Sequence, residues 1–320
     1  MTAPFRILTV TWSEDLPHFE LLRDSLAMSR LAHIPHDVVV QSEDLTLFDA
    51  FRGSTVTLRG SDSLLPPPVE RRRRQARRWQ ARAGRHGTRL LGSVSRRTGW
   101  PRWVRYTGWH TQQLSKLAAV AASDVDIVVV MDSDVVVTRL AGPEDFVSAR
   151  SITGFAEWRL ASELTGKVRT WQHTAHRLFG QRVPGGDDVD CYFDTPFVFH
   201  APSLRDLLAW LERQYGRPWW QVLLALPPRS WSEFCIYKTY LRLYSGHDVE
   251  WRDTGLFGYL FDASDPGRLA DEFMRLVDEG GRHYVTIHSQ SAGRRLWSAQ
   301  ACTGGIRDCL MNSVVRRTGH

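Results

Sequence analysis

Three features are missing from this sequence: a long apolar run, a closely spaced cysteine pair, and acidic residues between positions 71 and 105. The aliphatic run from Ile127 to Met131, like every other in the sequence, is far shorter than the roughly 20 residues of a membrane-spanning helix. None of the four cysteines forms a CxxC pair, which argues against zinc and redox motifs and fits a reducing compartment. The first residues resemble no secretory signal. We therefore expect a cytoplasmic protein, with peripheral membrane attachment left open.

The bulk composition is that of a globular protein. The 320 residues are 42% hydrophobic and 24% charged, enough for a substantial core. We expect one domain over residues 1–320, with a basic insertion at about 66–105 and a helical portion at about 200–280.

The net charge of +6 arises from one segment. Residues 71–105 hold thirteen arginines, and without them the chain carries 28 basic against 35 acidic residues, or −7. Prolines at 66–68 and glycines at 84, 87, 92 and 99 favour a loop. Because unpaired buried charge is costly, we expect a mobile basic flap outside the core that recruits an anionic acceptor or a membrane surface. A solvated, partly helical insertion packed on the acidic body is the alternative.

The opening of the chain predicts a β-α-β unit. Residues 4–12 and 37–44 are typical of strands, and residues 15–31 have helical periodicity. A second helix is predicted at 107–123, followed by a buried strand from Ile127 to Met131. This order predicts an α/β fold with a mixed, mainly parallel sheet flanked by helices. Further strands are predicted at 152–157, 191–200 and 283–289, and helices at 203–215, 231–244 and 266–279, before a polar tail.

The most informative motif is Asp132-Ser133-Asp134, directly after the buried strand. Ligands bind at the carboxyl ends of strands in open α/β sheets. Two carboxylates one residue apart repel each other unless a cation or water lies between them, and oxygen ligands select Mg²⁺ or Mn²⁺. A solvated strand-to-turn junction would have the same sequence.

The ordered motifs GWHTQQLSKLAA, VVVMDSDVVV, FDTPFVFH, SWSEFCIYKTYL and IHS resemble an uncharacterised bacterial family of GT-A-like glycosyltransferases. The resemblance covers roughly residues 4–60 and 105–290 and implies a GT-A, Rossmann-like fold. It also implies transfer of a sugar from a nucleotide-sugar donor, held by Mn²⁺ or Mg²⁺, to an acceptor hydroxyl. The arginine-rich segment has no counterpart in it.

The resemblance assigns roles to individual residues. Asp134 would be the direct metal ligand, Asp132 would contact the ribose or the metal through water, and His288 would be a third metal ligand. The expected donor-binding residues lie at strand ends and on the helix before the motif: Thr11, Trp12, Asp44, Trp109, Gln113, Lys116, Asp132 and Ser133. A polar strand end or a solvated helix face would explain several of them equally well.

Two carboxylates are candidates for the base that activates the acceptor. Glu233 is the first, although Ser230 and Glu233 also form a helix capping box. Asp194 is the second. A retaining enzyme needs no such base.

Two other function classes fit parts of the sequence. A phosphatase of the haloacid dehalogenase type also has an apolar strand followed by DxDx[TV], with Asp132 as nucleophile, Lys167 as the lysine and residues 185–188 as the later acidic motif. In that fold the nucleophile follows the first strand, whereas a β-α-β unit precedes Asp132. An arginine-rich nucleic-acid-binding protein would explain residues 71–105 alone. We therefore expect a glycosyltransferase with no specific nucleic-acid partner.

Overall fold

The computed structural model describes residues 5–106, 108–186, 188–261, 266–288 and 300–315. Twelve strands lie within these residues: β1 Arg6–Thr11, β2 His36–Val40, β3 Val56–Gly60, β4 Ile127–Val130, β5 Val135–Val137, β6 Ile152–Phe155, β7 Trp158–Leu160, β8 Asp188–Asp190, β9 Phe197–His200, β10 Val249–Arg252, β11 Phe257–Leu260 and β12 Tyr284–Ile287. The α-helices are α1 Leu16–Ala27, α2 Pro67–Thr98, α3 Trp109–Ala121, α4 Gly166–Leu178, α5 Ala201–Tyr215, α6 Trp219–Ala225, α7 Glu233–Tyr244, α8 Pro266–Asp278 and α9 Gln300–Val315. None of these helices is long and apolar enough to cross a membrane.

The central sheet has the strand order β3-β2-β1-β4-β9. The first four strands run parallel and β9 pairs antiparallel with β4. Strands β2 and β4 contain uninterrupted runs of valine and isoleucine, as expected where helices cover both faces of a sheet. The prediction of a mixed, mainly parallel sheet flanked by helices is confirmed.

Alternate residues of β4, together with Met131, which follows it, pack into two different hydrophobic cores. Val128 and Val130 pack with α3, α5 and α7 on one face, whereas Val129 and Met131 pack with α1 on the other. Side chains of a strand alternate between faces, so this one short run joins both layers. The strand's carboxyl end is consequently held rigidly from both sides.

A second, smaller sheet holds the chain just after the acidic motif. It has the order β11-β12-β5, with β12 antiparallel to β5. The backbone N–H of Ile287 donates to the carbonyl of Asp134 at 2.8 Å. The turn between β4 and β5 is therefore fixed at both ends, and the end of β12 is brought beside it.

The predicted flap is wrong, because residues 67–98 form helix α2. Pro67 suits the first turn of a helix, and arginine is a good helix former. Gly84, with φ 66° and ψ 178°, interrupts the helix in a conformation that glycine adopts without strain. Val69 and Ala76 are fully buried in the core shared with α3 and α7. The first half of α2 is thus part of the folded body.

Several local predictions also need correction. The strand predicted at 191–200 begins only at Phe197, and the preceding residues include β8, which pairs with β7. The strand predicted at 37–44 ends at Val40, and residues 42–51 form 3₁₀ turns. The polar tail contains α9, whose buried Ile306 joins a core with α1 and α8. In each case tertiary packing, and not local composition, determines where the strand or helix lies.

Candidate functional site

The Asp132-Ser133-Asp134 motif lies in the turn between β4 and β5, at the carboxyl edge of the parallel strands. The N–H of Met131 donates to the carbonyl of Leu8 at 2.9 Å, and the N–H of Val135 donates to that of Asp132 at 3.1 Å. Ser133 is buried, whereas Asp132 and Asp134 each keep some exposure. The backbone is thus tied to β1, and both carboxylates stay reachable by a ligand.

Lys116 links this motif to helix α7. Its Nζ lies 2.8 Å from Oδ1 of Asp132 and 3.2 Å from Oε1 of Glu233. The Lys116 and Glu233 side chains are 5% and 4% exposed, but Asp132 is 27% exposed. Burial alone would lower the pKa of Lys116, but the two carboxylates outweigh it and hold this pKa above its ordinary value. Lys116 is therefore a fixed positive charge, and Asp132 is the member of this trio that reaches solvent.

Four aspartates form an acidic cluster around the motif: Asp15, Asp132, Asp134 and Asp194. Burial raises the pKa of Asp134 well above its ordinary value, and the negative charges of Asp132, Asp194 and Asp15 raise it further. The pKa of Asp194 is also raised, mainly by burial. Like charges this close are unfavourable unless protons or a cation neutralise them. The cluster therefore favours binding of a cation.

Asp194 contacts the histidine that ends β12. Oδ2 of Asp194 lies 3.6 Å from Nε2 of His288, and Oδ1 accepts a hydrogen bond from the N–H of Thr195 at 2.9 Å. The His288 ring stacks on Phe261 and Tyr259, with centroids 4.6 and 5.5 Å apart. Burial lowers the pKa of His288 despite the opposing charge of Asp194. A neutral imidazole is therefore held at the edge of the cluster.

These side chains fit a metal site whose coordination is completed by substrate and water better than a site made of protein ligands alone. Among the residues that the structure describes, no group of three or more His, Cys, Asp or Glu side chains is arranged to hold a metal ion. Mg²⁺ and related ions commonly take one or two carboxylates and complete their shell with substrate phosphates and water. Asp132 and Asp134 supply such a pair of hard oxygen donors, and the charge of the cluster favours a cation. The donor set therefore fits Mg²⁺ or Mn²⁺.

The residues at the ends of β1 and β2 lie beside the cluster, and two of them, Trp12 and Asp44, already form hydrogen bonds within the protein. Nε1 of Trp12 donates to Asp15 at 2.6 Å. Asp44 is buried and accepts from Arg77 of α2 at 2.8 Å and from the N–H of Ser13 at 3.4 Å. Thr11 is buried, and its hydroxyl has no hydrogen-bond partner among the described residues. The strand ends thus converge as expected, and Asp44 is partly neutralised by α2.

The two other predicted donor residues lie on α3. Trp109 stacks on Trp171 with a centroid distance of 5.9 Å and an interplanar angle of 17°. Gln113 is 2% exposed, and neither of its amide atoms has a hydrogen-bond partner within the described part of the chain. A buried unsatisfied amide is costly, so this position suits a polar ligand or a bound water.

Sequence reasoning missed three contributors to this site. Asp15 comes four residues after the end of β1, and an acidic residue just past a strand end was the available signal. Tyr259 and Phe261 stack on His288, but strand β11, which contains Tyr259 and ends just before Phe261, was not predicted. Because β11 comes next to β12 only through tertiary pairing, no local pattern indicated those two aromatics.

Residues 87–268 match a family of unknown function, DUF6492, over more than half of the chain. The chain belongs to the DUF6492 family. No curated protein matches the sequence of this DUF6492 member.

Among solved structures, the chain is similar to the galactosyltransferase LgtC in complex with donor and acceptor sugar analogues, at 10% identity and a TM-score of 0.44, over 96% of this chain and 95% of LgtC. The bifunctional glycosyltransferase WbbM is 11% identical with a TM-score of 0.46, over 98% of this chain and 50% of WbbM. Mouse xyloside xylosyltransferase 1 is 12% identical with a TM-score of 0.38, over 90% and 98% of the two chains. At these scores the function has to be inferred from the side chains of the site.

Proposed function

We propose that this DUF6492 protein is a metal-dependent glycosyltransferase that moves a sugar from a nucleotide-sugar donor to an acceptor hydroxyl or similar nucleophile. One observation carries the proposal: four aspartates, with one buried lysine, meet at the carboxyl edge of a mainly parallel sheet. Such an edge is where α/β folds bind nucleotides. An acidic cluster there, with four aspartates and one lysine, suits a divalent cation that in turn binds a diphosphate.

Asp132 and Asp134 would hold the cation, with His288 as a further candidate ligand. When bound, Mg²⁺ or Mn²⁺ neutralises charge on the departing nucleoside diphosphate. His288 Nε2 lies 3.6 Å from Asp194 Oδ2, so His288 would also orient Asp194.

Donor binding is assigned to the strand ends and to α3. Thr11, Trp12 and Asp44 would contact the base or ribose, since they follow the first two strands. Lys116 would act on the diphosphate from behind Asp132, as a fixed positive charge that does not touch it, and Ser133 lies between the two carboxylates. Gln113 would donate its unpaired amide to the donor, with Trp109 behind it.

The geometry favours Asp194 over Glu233 as the acceptor base. Glu233 is 4% exposed and ion-paired with Lys116, so it has no free path to an acceptor. Asp194 is 32% exposed, and its raised pKa makes it a stronger base than an ordinary aspartate. We assign Asp194 as the base of an inverting reaction and Glu233 as the residue that positions Lys116.

The test is a donor screen with and without Mn²⁺ or Mg²⁺, measuring release of nucleoside diphosphate from UDP-, GDP- and dTDP-sugars. We expect slow metal-dependent hydrolysis of one donor, lost in Asp132→Asn. Asp126→Asn is the matched control, because Asp126 is exposed at the opposite end of β4. No donor turnover, together with p-nitrophenyl phosphate hydrolysis that Asp132→Asn abolishes, would contradict the proposal and indicate a phosphatase.

A further inference from the structure

Helix α2 has an inner face whose arginines are paired. Arg73 is 4% exposed and contacts Glu70 at 2.7 Å and Glu43 at 2.5 Å. Arg77 lies 2.8 Å from Asp44. These arginines anchor the helix to the segment after β2, so their charge is unavailable to a partner.

The outer face of the same helix differs. Arg71, Arg78 and Arg82 are exposed, and none of them forms an ion pair with a carboxylate of the described residues. Their spacing of seven and four residues places them along one side of the helix. The guanidinium of Arg82 lies over the Trp79 ring, 5.4 Å from its centroid. This face therefore presents a row of unneutralised positive charge beside an aromatic ring.

Large apolar side chains are also exposed along this segment. Trp79 is 45% exposed, Leu90 69%, Val94 40% and Trp100 68%. Leu90 and Val94, four residues apart, lie on one side of the second half of α2. Arginines interspersed with exposed Trp, Leu and Val side chains are the composition of helices that lie in a membrane interface.

We propose that the outer face of α2, together with the exposed apolar side chains at Leu90, Val94 and Trp100, is a docking surface for a bilayer containing anionic phospholipid. Its arginines would pair with lipid phosphates, and Trp79, Leu90, Val94 and Trp100 would enter the acyl boundary. The rest of the chain, at −7, is repelled by such a bilayer, so the protein would approach with α2 foremost. A nucleic acid would satisfy the arginines but offer Leu90 and Val94 no apolar partner, and for this reason we favour the bilayer.

The test is flotation of the full chain with vesicles of phosphatidylcholine alone or mixed with phosphatidylglycerol. We expect binding only to the mixed vesicles, weakening as salt rises. Replacing Arg71, Arg78 and Arg82 by Gln should lower the partition coefficient on the order of a hundredfold. Leu90→Ser with Val94→Ser should lower it about tenfold without changing the net charge.

The matched control replaces Arg213, Arg217 and Arg268 by Gln, which removes the same charge from exposed positions elsewhere. It should bind nearly as well as the wild-type chain, and all variants should retain the wild-type melting temperature. Equal loss in the control, no preference for the anionic vesicles, or tighter binding to an RNA or DNA duplex that depends on the same three arginines would each overturn the proposal.

Discussion

Two of the three lysines in the sequence, Lys116 and Lys238, are buried, and their surroundings differ in charge. Nζ of Lys238 donates to Asp190 at 2.6 Å and to the carbonyls of Phe155 and Tyr192, which satisfies its three donors. One cation meets one carboxylate there, and burial lowers the pKa of Lys238. Lys116 instead faces Asp132 and Glu233, with Asp134 and Asp194 beyond, and its pKa is raised.

The difference separates a structural ion pair from a binding site. At Lys238 charge and hydrogen bonding are balanced within the protein, so nothing further is needed. At Lys116 negative charge exceeds positive charge, and Asp132 carries part of that excess to the surface. A folded protein tolerates such an imbalance mainly where a ligand offsets it, which is why perturbed pKa values gather at functional sites.

The largest effect is expected at the balanced pair. Lys238→Met would leave Asp190, which is 2% exposed, as an unpaired buried charge, and should lower the free energy of unfolding by about 3–5 kcal/mol. Urea denaturation measures this loss. Adding Asp190→Asn should restore part of it, because the buried charge is then removed. A loss below about 1 kcal/mol would show that the pair is not a structural anchor.

Lys116→Met should behave differently. Glu233 can take up a proton because its pKa is already raised by burial, and Asp132 reaches solvent, so we expect a loss of only about 1–2 kcal/mol. Affinity for a nucleoside diphosphate should fall about tenfold with the loss of one cation near the phosphates, whereas affinity for Mn²⁺ alone should not fall. Calorimetry measures both. A stability loss equal to that of Lys238→Met would remove the distinction between the two lysines.

A further effect concerns pH. The pKa of Asp134 is raised on folding, so the metal-free folded protein retains a proton that the unfolded chain releases above about pH 3.8. Stability should therefore fall as pH rises from 3.8 through the folded-state pKa, by up to about 1.4 kcal/mol per unit of pKa shift. Asp134→Asn should be less pH-dependent in EDTA, and saturating Mn²⁺ should reduce the difference between variant and wild type. Identical pH profiles of the two proteins in EDTA would contradict the shift.

Much of this site could be predicted from local sequence. The run Ile127 to Met131 identified the strand, and the strand placed Asp132 and Asp134 at the correct sheet edge. Helical spacing placed Gln113 and Lys116 together on α3. The partners of these residues could not be predicted in the same way, because the contact of Lys116 with Glu233 and the effect of Asp15 on Asp134 depend on tertiary packing.

Helix α2 shows the limit of composition as a guide. Thirteen arginines without an acid in the segment predicted a solvated flap. However, Arg73 and Arg77 pair with Glu43 and Asp44, about 30 residues earlier, and Arg73 also pairs with Glu70, just before the segment. Only the docking of α2 on the segment after β2 brings the two sets together. Charge balance within a segment therefore says little about burial when the counter-charges come from elsewhere.

The most direct test of the central claim is calorimetric titration of the nucleoside diphosphate into the protein with Mn²⁺ present. The acidic cluster is predicted to bind the Mn²⁺–diphosphate pair in the wild-type chain and in Asp126→Asn. In Asp134→Asn, which keeps the shape but loses one negative charge, affinity should fall roughly 100-fold while the fold survives. Unchanged affinity in Asp134→Asn, or binding that is indifferent to Mn²⁺, would contradict the account.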